Sequence, residues 1–97
     1  MFPQGMIASL LAVTLVQATP DSCLAPEAAR EIVQADKLVQ LSEATRIARG
    51  KVPGDLVSAN LCRVDGRMMY VLAILARGGR VVRIGVDAQS RATQQLR

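Results

Sequence analysis

Cys23 and Cys62 are the only thiols in this 97-residue chain, and it contains no histidine. A chain without imidazole lacks both the commonest general base and the commonest metal ligand. Two thiols 39 positions apart fall short of the four ligands a structural zinc wants. No C-x-x-C spacing points to redox catalysis. In an exported chain an even pair of cysteines is read as one structural disulfide. The carboxylates Asp55, Asp65 and Asp87 stand at turns or strand ends, where Asp accepts backbone hydrogen bonds. They do not form a pair in an apolar pocket. No catalytic residue, metal site or cofactor is assigned, and the chain is not read as an enzyme.

Charge is the other chemistry available. Residues 45–97 hold ten basic residues against the three acidic ones just named, while the chain as a whole carries +4. Arg63, Arg67, Arg77, Arg80 and Arg83 fall on strands and at their ends, and they are the candidate partner-binding residues. One reading is a solvated sheet rim that resists edge-to-edge association. The functional reading is docking to an anionic surface, either acidic phospholipid or an acidic protein. Nucleic acid is set aside, because export removes the usual target and Tyr70 is the only ring beyond Phe2.

Export itself is read from the N-terminus. Met6–Val16 is an 11-residue apolar run, about half of what a bilayer span requires but suited to a signal-peptide core. Val16-Gln17-Ala18 follows as a small-residue cleavage site, and Pro20 and Asp21 break any continuation. The segment MFPQG ahead of the run carries no Lys or Arg. A buried core helix, an uncleaved anchor and lipidation at Cys23 are the competing readings. Bacterial-type export to the periplasm or medium is the one adopted.

The elements that must position the cysteines and arginines follow from periodicity. PEAAREIVQA, Pro26 to Ala35, has helical spacing with Pro in the first turn and Glu27 and Glu31 near the positive end of the dipole. Asp36–Gln40 reads as a connector. Ser42 is the expected N-cap of a second short helix, Glu43–Arg49, ended by Gly50. Three β-type runs follow, Asp55–Val64, Arg67–Arg77 and Arg80–Ala88, separated by the hairpin signals Asp65-Gly66 and Gly78-Gly79.

Alternation puts Val57, Ala59 and Leu61 on one face with Tyr70, Leu72, Ile74, Val82, Ile84 and Val86, under the second helix. Leu56, Cys62, Met69, Val71, Leu75 and Val81 fall on the other. That face is apolar enough to need cover, either from the first helix, drawn there by Cys62, or from a partner, and the helix is the expected one. The predicted fold class is α+β: a three-stranded antiparallel meander, a short helix on one face, and an N-terminal helix tethered by the Cys23–Cys62 disulfide.

The run from Leu41 to about Ala92 resembles the PepSY domain family. The resemblance rests on LSEATRIA, on Val52-Pro53-Gly54 at the entry to the first strand, on Tyr70 in the second, and on Val86-Asp87-Ala88 closing the third. Ser90-Arg91 stands where the family usually has Thr-Gly. The resulting organisation is a signal peptide over 1–18, a helical segment over 19–40, a PepSY-like domain over 41–93 and a tail over 94–97. The resemblance implies a secreted or membrane-associated, non-catalytic binding module. Since such domains also occur in propeptides of metallopeptidases, a peptidase is the implied protein partner. The alternative is a peripheral envelope protein that binds anionic lipid or an acidic partner through its arginine-rich sheet.

Overall fold

Antiparallel pairing in chain order builds the whole sheet. A computed structural model describes residues 22–96; the leader predicted over 1–18 lies outside the described residues. The strands are β1 (Ser22–Cys23), β2 (Gly54–Val64), β3 (Arg67–Ala76), β4 (Val81–Asp87) and β5 (Thr93–Leu96), in the spatial order of the chain. The helices are α1 (Pro26–Ala35) and α2 (Leu41–Lys51). The class is α+β. Its sheet has five strands, not three, and residues 94–96 belong to β5 and not to a tail. Strands of two and four residues have no readable period of their own. They form because β2 and β4 offer them an unpaired edge.

The turns follow their chemistry. Asp65 and Gly66 both have positive φ, 51° and 79°, as a two-residue type I′ hairpin requires. The second connection, Arg77–Arg80, is two residues longer than Gly78-Gly79 alone. Gly78 and Gly79 both take positive φ there, 88° and 84°, and the Ala76 N–H donates to the Arg80 carbonyl at 2.7 Å across the loop.

One face of the sheet carries the main core: Leu61, Tyr70, Leu72, Ile74, Val82, Ile84 and Val86, with Ala44 and Ala48 of α2 fully buried against it. Small residues on α2 let its backbone approach the aliphatic sheet closely. The helix begins two residues earlier than the Ser42 cap predicts, with Gln40 as an N-cap that makes no side-chain bond, and it runs through Gly50 to Lys51. Leu38 and Val39 are buried just upstream, and the Gln40 carbonyl accepts the Ala44 N–H. Tertiary burial, not capping, sets this boundary.

Two face assignments are corrected. A bulge between Leu56 and Ser58 puts Leu56 opposite Ile74 and Ser58 opposite Ala73. Val57 is the extra residue, 59% exposed, and takes no place in the core. The expected cover by the first helix also fails, because Ala29, Ile32 and Val33 of α1 pack partly against the same core as α2. Cys23 is opposite Cys62 on the other face, so alternation turns Leu24 toward the helices, where its N–H donates to the Leu61 carbonyl. The chain leaves the sheet on that side.

The face away from the helices closes partly on itself. Met69 and Val71 are buried there. Gly85 leaves a gap over which Met69 Cε and Leu96 Cδ1 lie, 3.2 and 3.3 Å from where a Cβ would stand.

Candidate binding surfaces

Cys23 and Cys62 are joined by a disulfide, S–S 2.08 Å, between residues directly opposite in the β1–β2 register. Their Cα atoms lie 3.8 Å apart. Leu61 uses its carbonyl to hold Leu24, so the neighbouring Cys62 sits at a non-hydrogen-bonded position toward β1, where side chains approach most closely. The bond holds α1 by its entry strand, at the β2 edge.

Tyr70 is a joint and not a surface aromatic. Its hydroxyl donates to the Val39 carbonyl at 2.7 Å, and burial pushes its pKa up. Val39 in turn donates its N–H to the Ala88 carbonyl at 2.8 Å. The segment expected to be a plain connector is therefore bound to β3 and to the end of β4. Nothing in its composition signals this beyond the adjacent apolar pair Leu38-Val39.

Asp87 organises the turn from β4 to β5. Its Oδ1 accepts the N–H groups of Gln89 and Ser90 at 2.8 and 3.0 Å, and its Oδ2 lies 3.4 Å from Arg67. The Ser90 hydrogen bond, with help from Gln89 and Arg67, holds this buried carboxyl below the usual carboxylate range although burial opposes it. Arg91 takes the positive φ, 69°, in the turn where the resembled family has glycine. Its guanidinium donates to both carboxylate oxygens of Glu43, at 2.6 and 3.3 Å, and that hydrogen bonding lowers the Glu43 pKa. A contact 48 residues away thus accompanies the less favoured backbone conformation.

Because Asp87 titrates lower in the folded chain than in the unfolded one, its contribution is complete at neutral pH. It disappears as the pH falls from about 4 through the lowered value. Asp87→Ala is expected to cost about 1–2 kcal/mol at neutral pH, from two N–H donors left without their acceptor. It should also flatten the acid limb of a stability-against-pH curve measured by urea titration. An unchanged limb would remove Asp87 from that role.

The five predicted arginines do not converge. Arg63 and Arg67 flank the β2–β3 turn, and Arg83 lies half-buried in the middle of β4, in the row of Ala73 and Leu96. Arg77 and Arg80 stand at the opposite end, about 30 Å away along the strands. There they line a cleft of about 510 Å³ with Lys51, Pro53, Ala76 and Val82. Lys51, the last residue of α2, is not one of the five predicted residues. A second cleft, about 440 Å³, opens between α1, the start of α2 and β2 and is lined mainly by aliphatic groups, among them Leu24, Ala29, Val33, Leu41 and Ala59. Among the described residues no group of three or more Cys, Asp or Glu is placed to hold a metal ion.

Compared with protein-family models, with curated proteins and with solved structures, the chain matches none.

Proposed function

We propose that this chain is an exported, non-catalytic binding module of the PepSY type that acts on a protein partner in the cell envelope, a peptidase foremost. The observation that carries this reading is the aliphatic cleft between α1, α2 and β2. It is concave, about 440 Å³, and lined by side chains suited to desolvating an apolar segment. The residues behind the resemblance support it from below. Gly54 starts β2, Tyr70 ties the connector to β3, and Asp87 closes the turn after β4. Leu41, 43% exposed, is the large apolar side chain most open to a partner at the cleft.

The test is inhibition of a panel of envelope and secreted metallopeptidases by the oxidised protein. At least one enzyme should be inhibited, and Leu41→Asp should weaken that inhibition at least about tenfold, the scale of a modest interface hot spot. No inhibition across the panel, with no peptidase retained from an envelope extract, would sink the reading.

A further inference from the structure

Three arginines near one end of the described sheet pair with carboxylates, and three cations at the other end do not. Near the Asp87 end of the sheet, Arg67 lies 3.4 Å from Asp87, Arg91 lies 2.6 Å from Glu43, and Arg46 lies 4.0 Å from Glu43. At the other end α2 finishes and β3 turns into β4. Lys51, Arg77 and Arg80 there have no carboxylate within ion-pair distance among the described residues. Arg49 adds a fourth cation, its Nε donating to the Gly54 carbonyl at 3.1 Å. Asp55 is the one acidic residue in the segments 49–57, 75–82 and 95–96 that lie toward this end.

Exposed aliphatic side chains gather at the same end. Leu75 and Val81 are register partners on the face away from the helices, 40% and 58% exposed. Leu56 and the bulged Val57 on β2 are 37% and 59% exposed. Of the large apolar side chains exposed among the described residues, only Leu41 lies elsewhere. The loop that joins Leu75 to Val81 holds Gly78 and Gly79, where an added Cβ would meet nothing within 4 Å.

We infer that this end of the sheet is a docking surface for a bilayer containing anionic phospholipid. Arg77, Arg80 and Lys51 meet the phosphate layer while Leu75 and Val81 enter the acyl boundary. Cations alone would suit any acidic surface. Exposed aliphatic side chains that flank an open loop suit one that yields around them, as the headgroup boundary does. No helix among the described residues is long and apolar enough to cross a membrane, so this contact would be peripheral. The inference concerns a different surface from the aliphatic cleft and does not depend on a peptidase partner.

The experiment is co-sedimentation of the full, oxidised chain with vesicles of phosphatidylcholine alone or with one-third phosphatidylglycerol. Two charge-matched double variants are compared, so that the rest of the chain contributes equally to both. Arg77→Gln/Arg80→Gln should lose about 30-fold in affinity for the anionic vesicles, roughly fivefold per cation at a charged membrane surface. Arg30→Gln/Arg63→Gln should lose less than about threefold, as charges held further than a Debye length from the surface. Leu75→Ser/Val81→Ser should weaken binding with every cation in place. Equal losses from the two charge variants would overturn the site. Unchanged binding by the serine variant would overturn the bilayer as its partner and leave an acidic soluble one. Circular dichroism of each variant separates loss of the surface from loss of the fold, and the assay contains no peptidase.

Discussion

Replacing Cys23 and Cys62 together by alanine is expected to destabilise the domain by about 4 kcal/mol, the chain-entropy value for closing a loop of this size. The two residues are separated by 39 positions. A domain this small has of the order of 5–15 kcal/mol at most to lose. The structure says where the loss would first be felt. β1 is two residues long, α1 contains no fully buried residue, and the bond joins β1 to the edge of β2. Without it, α1 and β1 should open before β3 and β4 do. Urea titration reads the global change, and hydrogen exchange should show α1 amides losing protection while those of β3 keep theirs. An unchanged unfolding midpoint would mean that the noncovalent contacts of α1 suffice to hold it.

Gly54→Ala is expected to cost about 3 kcal/mol, at the upper end of what forced overpacking does. A Cβ there would stand 2.2 Å from the Leu75 carbonyl oxygen and 2.9 Å from Ile74 Cγ2, on a residue whose φ is +157°. The oxygen belongs to the backbone of the neighbouring strand and has no rotamer by which to retreat. Relief would require β2 to start later, which loses the Gly54–Ala76 pairing and displaces the Arg49–Gly54 hydrogen bond. Gly50→Ala is the internal control, since nothing lies within 4 Å of its added methyl and a helical glycine gains from replacement. Thermal unfolding of both variants checks the contrast. Equal melting temperatures would refute the close approach of β2 to β3.

Much of the architecture was legible because it is local. Pro26–Ala35 emerges as the helix that its spacing implies. The central hairpins form around Asp65-Gly66 and the Gly78-Gly79 pair because those residues accept the positive φ that tight reversals demand. What failed to show was interaction across distance. The bulge at Val57 leaves no sign in a run that alternates acceptably on either side of it. Leu38 and Val39 look like any apolar pair until Tyr70 and Ala88 bind the backbone between the helices.

The candidate surfaces divide in the same way. By itself the sequence determined a histidine-free, aliphatic, basic chain with a single pair of thiols, and so the kinds of chemistry open to it. Composition and short-range spacing are sufficient for that. Only the tertiary structure decided that Cys23 and Cys62 face each other across one edge of the sheet. Only it decided that Arg67 and Arg91 are neutralised by carboxylates 20 and 48 residues away while Lys51, Arg77 and Arg80 are not. Ion pairing depends on distances of a few ångströms, and those distances exist only once the strands are in register.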